Sequence, residues 1–119
     1  MILAIIEDPL FEKLIADCAV QEGERCLVLK DEAAADRALA EETPKVLLLD
    51  VGSSTVDIPS FIEKLKQNPN TRAVPLVVFG NSIRADLMQD ARELGADQVL
   101  PKAAFKQQLR EIIRRYQKR

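Results

Sequence analysis

Lys45–Gly52 reads KVLLLDVG. Pro44 precedes it, the apolar residues Val46–Leu49 fill its centre, and Gly52 ends it. A short unbroken apolar run bounded by proline and glycine suits a strand buried on both faces, as the central strands of a parallel sheet are. Asp50 stands where this strand stops. Ligands of open α/β sheets bind beyond the carboxyl ends of the strands, so a carboxylate here faces a crevice rather than the core. Taken alone, Asp50 better suits the cap of the following turn, a common use of aspartate.

The runs on either side weigh against the bland reading. ILAII (residues 2–6) leads into Glu7 and Asp8, and QVLP (residues 98–101) leads into Lys102. Three carboxylates and one ammonium at the ends of separate parallel strands converge on one sheet edge. They would form an acidic pocket with a single cationic arm, suited to a divalent cation and an anion.

The rest of the chain supplies the helices between these strands. Asp8 and Pro9 are a good helix start, with the acid as N-cap and proline in the first turn; Phe11, Leu14, Ile15, Cys18 and Ala19 then share one face, which ends near Gly23. Cys26–Leu29 is a second strand. Residues 31–42 have helical spacing only through Ala34, Ala35, Ala38 and Leu39, a small apolar face that predicts a short, weakly anchored helix. VGSSTVDIPS, after Asp50, reads as a loop able to carry function, and Pro59 starts a helix through Phe61, Ile62 and Leu65. Pro75–Phe79 is a fourth strand. Ile83, Leu87, Ala91 and Leu94 fall on one stripe stopped by Gly95, Val99 and Leu100 belong to a brief fifth strand, and Phe105, Leu109, Ile112, Ile113 and Tyr116 define the last helix. Five strands, each followed by a helix, predict an α/β fold. Right-handed crossovers make it a flavodoxin-like (βα)5 doubly wound parallel sheet of order 2-1-3-4-5, one domain over residues 1–119. In that order the ends of strands one and three are neighbours, so Glu7, Asp8 and Asp50 meet and Lys102 reaches in.

Composition narrows the function classes. A net charge of −2 and a pI near 5.2 argue against direct nucleic-acid binding, which needs a concentrated basic surface. The terminal cluster Arg114, Arg115, Lys118 and Arg119 more simply complements a helix C-terminus. No apolar run approaches membrane-spanning length and ILAII is too short for a signal-peptide core, so no membrane partner and a cytoplasmic location are expected. Cys18 and Cys26, on apolar faces, read as reduced core residues. The chain has no histidine, which removes histidine triads, the usual zinc sites and a phosphohistidine donor role. No phosphate-cradling loop follows the first strand, where Asp8, Pro9 and Leu10 stand, so a flavin carrier or small flavodoxin-like enzyme is not favoured.

Taken together, the acidic pair after strand one, the aspartate ending VLLLD, the GAD tripeptide of GADQVLP (residues 95–101) and the lysine after it resemble the receiver domains of two-component response regulators over the whole chain. The resemblance implies that Asp50 is the phosphoacceptor, receiving a phosphoryl group from a histidine kinase or phosphotransfer protein. Mg²⁺ would be held by Glu7, Asp8, Asp50 and the Gly52 carbonyl, and Lys102 would meet a phosphoryl oxygen. It further implies a signalling protein that acts by contact with a downstream partner or output domain, with no enzymatic activity beyond its own phosphorylation and dephosphorylation. No output domain follows the last helix, so the chain is expected to be a stand-alone or an excised receiver.

Departures from the family pattern qualify the implied switch. The hydroxyl residue ending strand four corresponds to Gly80 and the aromatic of strand five to Val99; the proline after the lysine is Ala103, and the loop after Asp50 has Ser54 and Ile58 in place of the family's proline and glycine. Phosphoryl contacts are then left to the Gly80 and Asn81 backbone and to the Asn81 and Ser82 side chains, with responses confined to the loops after strands three and four. Restoring Gly80→Thr with Val99→Tyr is expected to extend the response to the last helix. Two readings follow: a receiver with another output route, and a degenerate pseudo-receiver that binds partners without phosphate. The surface carrying Arg84, Asp86, Asp90, Arg110, Glu111 and Arg114 corresponds to the face through which many receivers bind partners or form weak homodimers.

Overall fold

A computed structural model describes residues 1–117, so Lys118 and Arg119 of the terminal basic cluster lie outside the described residues. Five strands, β1 (Ile2–Ile5), β2 (Cys26–Leu29), β3 (Val46–Asp50), β4 (Leu76–Gly80) and β5 (Gln98–Pro101), form one parallel sheet of order β2-β1-β3-β4-β5. Five helices alternate with them: α1 (Pro9–Gln21), α2 (Glu32–Glu41), α3 (Ile58–Gln67), α4 (Ala85–Glu93) and α5 (Lys102–Gln117). This is the expected flavodoxin-like doubly wound arrangement.

Strand alternation sends the apolar side chains into two cores. Leu3, Ile5, Leu47, Leu49, Leu76 and Val78 pack with Ala35, Phe61, Ile62, Leu65, Met88 and Ala91 of α2, α3 and α4. Ile2, Ala4, Val46, Leu48, Val77 and Phe79 pack with Phe11, Ile15, Phe105, Leu109 and Ile113 of α1 and α5. Every residue of β1, β3 and β4 is buried, as a central strand covered on both faces requires. The edge strands β2 and β5 are only partly covered.

Helix starts follow their caps. Asp8 caps α1 with Pro9 in its first turn, Asp31 caps α2, and Asp57 caps α3 through the Ser60 N–H. The Asp57 cap starts α3 one residue before Pro59, with Ile58 as its first residue. As expected for its small apolar face, α2 has only Ala35 fully buried. Gly23 ends α1 and Gly95 ends α4 with positive φ, +74° and +104°, which a side chain would strain.

The apolar stripe expected at Ile83, Leu87, Ala91 and Leu94 is corrected at Ile83. Asn81 caps a 3-10 turn, Ser82–Arg84, through the Ile83 N–H, and α4 begins only at Ala85. Ile83 therefore lies outside the helix and is 79% exposed. Ala91 is buried as expected, together with Met88, and Leu87 and Leu94 pack partly buried against the same core.

Cys18 and Cys26 are free and half-buried. Burial pushes the Cys26 thiol up to about 11 from an ordinary value of 9.0. The thiolate is the reactive species, so at pH 8 Cys26 is expected to react with an aromatic disulfide reagent about a hundredfold more slowly in the folded chain than in urea. Equal rates would place Cys26 in solvent.

Candidate functional site

Sheet register builds the site. Ile5 pairs with Leu49, Asp50 with Phe79 and Gly80 with Pro101, so the ends of β1, β3, β4 and β5 lie level along one edge. A cavity of about 320 Å³ opens there, lined by Glu7, Asp8, Asp50, Gly52, Asn81, Ile83, Arg84 and Lys102. Glu7, Asp8, Asp50, Gly52, Asn81 and Lys102 of the expected residues line it, and Gly80 and Ser82 do not. Ile83 and Arg84 are additions that sequence reasoning had not placed in the pocket: the 3-10 turn folds them over its rim.

Asp50 is 6% exposed. Its Oδ1 accepts from the Gly52 N–H at 2.8 Å, and no hydrogen bond among the described residues engages Oδ2. The turn-capping role and the pocket role are thus held together, one by each oxygen. Burial raises the Asp50 pKa, with Asp8 and Glu7 acting in the same direction and the Gly52 N–H and Lys102 opposing.

Asp8 is divided in the same way. Its Oδ1 caps α1 by accepting from the Leu10 N–H at 2.9 Å, and its Oδ2 accepts from the Lys102 ammonium at 3.4 Å. Burial pushes its pKa up, but the Leu10 N–H and Lys102 outweigh it and hold the carboxyl below its ordinary range. Lys102 is the first residue of α5, directly after β5, and its Nζ lies 5.1 Å from the centre of the Phe11 ring. The ring and Asp8 together aim the ammonium at the pocket.

Glu7 takes a different direction. Its carboxylate accepts from the Ser54 N–H at 2.8 Å, the Ser54 hydroxyl at 2.9 Å, and the Thr55 N–H and hydroxyl, both at 3.1 Å. The Ser54 side chain and backbone lower its pKa. Alternation along β1 explains the divergence: Ile5 faces the α2–α4 layer and Ile6 the α1–α5 layer. Glu7 continues the first series, toward the loop after β3, and Asp8 the second, toward Lys102.

Mg²⁺, which the fold implies, fits part of this donor set. Among the described residues no group of three or more carboxylate, cysteine or histidine side chains is arranged to hold a metal ion. Asp8, Asp50 and Gly52 all line the cavity, and two carboxylates suit a cation that is held by one or two such groups and keeps most of its waters.

Gly80 has a specific reason to be glycine. A Cβ built there would overlap Cγ2 of Val51, with the Met88 sulfur next at 3.9 Å. The space of the missing side chain is filled, by the residue after Asp50. The Gly80→Thr change expected, with Val99→Tyr, to extend the response therefore needs Val51 to shift to make room.

The surface expected on the last two helices is also corrected. Arg114 pairs with Glu22 at 2.5 Å, and Arg110 reaches Glu22 at 3.8 Å and Gln21 at 2.7 Å. Both thus face the end of α1, away from Asp86 and Asp90 of α4.

Comparison with solved structures decides the fold's kinship. The signal receiver domain of a signal transduction histidine kinase from Syntrophus aciditrophicus superposes with a TM-score of 0.83 at 20% identity, covering 97% of this chain and 87% of that one. The chain has the receiver-domain fold. The receiver domain of a sensor histidine kinase of Pseudomonas aeruginosa PAO1, with magnesium coordinated in its active site cleft, superposes at 0.82 with 20% identity over 97% of this chain and 94% of that one. In sequence, this chain is 36% identical over 81 residues to the protein-glutamate methylesterase/protein-glutamine glutaminase of the group 3 operon of Cereibacter sphaeroides. The match covers 66% of this chain and 21% of that protein, so the chain spans about a fifth of that relative's length. No protein-family model matches it.

Proposed function

We propose that this chain is a signalling receiver whose Asp50 takes a phosphoryl group from a histidine kinase or phosphotransfer protein and which then acts by contact with another protein. The observation that carries the reading is the cavity at the carboxyl edge of a receiver fold, which gathers Asp50, Asp8, Gly52 and Lys102. The chemistry proposed for these residues is the domain's own phosphorylation and dephosphorylation.

Asp50 Oδ2 attacks the phosphorus, the bond from phosphorus to the donor nitrogen breaks, and the electron pair leaves with the imidazole, which takes a proton. The Gly52 N–H fixes Oδ1, so the carboxylate is held with Oδ2 forward. Lys102 neutralises a phosphoryl oxygen as a point charge, drawn from its present partner Asp8. Mg²⁺, held by Asp8, Asp50 and the Gly52 carbonyl, supplies charge neutralisation on the phosphoryl oxygens when bound. The Asn81 side-chain amide and N–H remain as further donors at the rim.

Calorimetric titration with Mg²⁺ tests the cation half of this reading. Binding is expected in the wild type and should be largely lost in Asp8→Asn; equal binding in the two would move the site elsewhere. Lys102→Ala should leave Mg²⁺ binding in place and lower the yield of phosphorylated Asp50 from acetyl phosphate.

A second reading, a pseudo-receiver that docks partners without phosphate, is favoured by one observation. Val51 fills the place of the hydroxyl residue that would follow the phosphoryl group. Amide shifts with and without beryllofluoride separate the two. The receiver reading expects changes in the loops after β3 and β4; the pseudo-receiver reading expects none.

A further inference from the structure

Glu7 stands at the pocket edge with one carboxylate oxygen already crowded by donors: Oε1 meets the loop after β3, while among the described residues Oε2 meets only the Ser54 hydroxyl. Two consecutive backbone N–H groups, of Ser54 and Thr55, converge on its Oε1 at 2.8 and 3.1 Å, and the Ser54 hydroxyl lies 2.9 Å from both Oε1 and Oε2. Successive N–H groups aimed at one oxygen form a nest for an anion. Here the chain supplies its own anion. The Thr55 hydroxyl also bonds the Lys30 carbonyl, and the Ser53 hydroxyl accepts from the Val56 N–H at 3.2 Å. The loop is therefore strapped to the ends of both β1 and β2.

We infer that Glu7 is a positioning residue, a clasp that pins the loop after β3 and through it sets Asp50, rather than a ligand of the cation. The loop begins at Val51, whose N–H is fixed to the Phe79 carbonyl at 3.0 Å, and continues through Gly52, whose N–H holds Asp50 Oδ1. Among the described residues, the loop's hydrogen bonds to the end of β1 run through Glu7, from Ser53, Ser54 and Thr55. Releasing the clasp loosens Gly52 and lets Asp50 turn. Asp8, on the other side of the strand, is untouched.

The rate arm of the test rests on the phosphoacceptor reading above; the exchange arm does not. Glu7→Gln removes the charge, and Glu7→Asp keeps a carboxylate but withdraws it by one methylene from the nest. Without Mg²⁺ or phosphate, both variants should speed hydrogen exchange of the 53–56 amides by about tenfold or more, because charge-assisted bonds are lost. With Mg²⁺ and acetyl phosphate, both should lower the maximal rate of Asp50 phosphorylation by about tenfold. The Mg²⁺ concentration at half-maximal rate should stay within about twofold of wild type, whereas Asp8→Asn should raise it strongly. Unchanged exchange in both variants overturns the clasp. So does a rise in half-saturating Mg²⁺ in Glu7→Gln as large as that in Asp8→Asn. If the wild type forms no adduct at all, the phosphoacceptor reading fails and the exchange arm alone decides the clasp.

Discussion

Replacing Phe79 by alanine is expected to lower folding stability by about 3–5 kcal/mol, the usual cost of emptying an aromatic site in a packed core. Phe79 is completely buried in β4, stacks on Phe105 with ring centres 4.0 Å apart, and lies 5.9 Å from the Phe11 ring. This trio belongs to the core between the sheet and α1 and α5. Phe105 belongs to the first turn of α5, beside Lys102, and Phe11 is the ring beneath the Lys102 ammonium. Urea unfolding gives the loss directly, and Phe79→Leu should recover part of it. A cost below about 1 kcal/mol would show that the trio does not brace the site.

Gly80→Thr carries the second large effect. Its new Cβ would overlap Val51 Cγ2, and forcing extra atoms into a packed site costs about 1–3 kcal/mol. Val51→Ala alone is also destabilising, since Val51 is 4% exposed and packs in the core with Met88. Together the two changes should cost less than their sum, with a coupling of about 0.5–3 kcal/mol in a double-mutant cycle. Only in that double variant does a hydroxyl at residue 80 have room to move toward Asp50. Additive costs would mean that Val51 does not own the space.

These two sites also show what a reader of the sequence can and cannot see. The apolar runs at residues 2–6, 46–49 and 75–79 are visible as strands because a strand buried on both faces has no polar positions to confuse its reading. Topology followed from their alternation with helices, and the charged residues after each run follow the strand ends to the pocket. Ile83 was misread because its spacing to Leu87 fits a helical stripe, while the competing signal, an Asn81 cap that closes a 3-10 turn, is local and weak. Gly80 is legible as a missing side chain; that Val51 fills its place depends on the register between β3 and β4, which no single run states. Adjacent acids look alike in sequence, yet strand alternation sends Glu7 to the loop and Asp8 to Lys102. Arg110 and Arg114 look free until Glu22, at the far end of α1, is brought beside them by packing of α1 on α5.

The central claim is that Asp50 accepts a phosphoryl group, and intact-mass measurement after incubation with acetyl phosphate and Mg²⁺ tests it most directly. The wild-type chain should gain the mass of one phosphoryl group, and Asp50→Asn and a metal-free sample should gain none. No adduct on the wild-type chain, under conditions that preserve an acyl phosphate, or an equal adduct on Asp50→Asn, would contradict it.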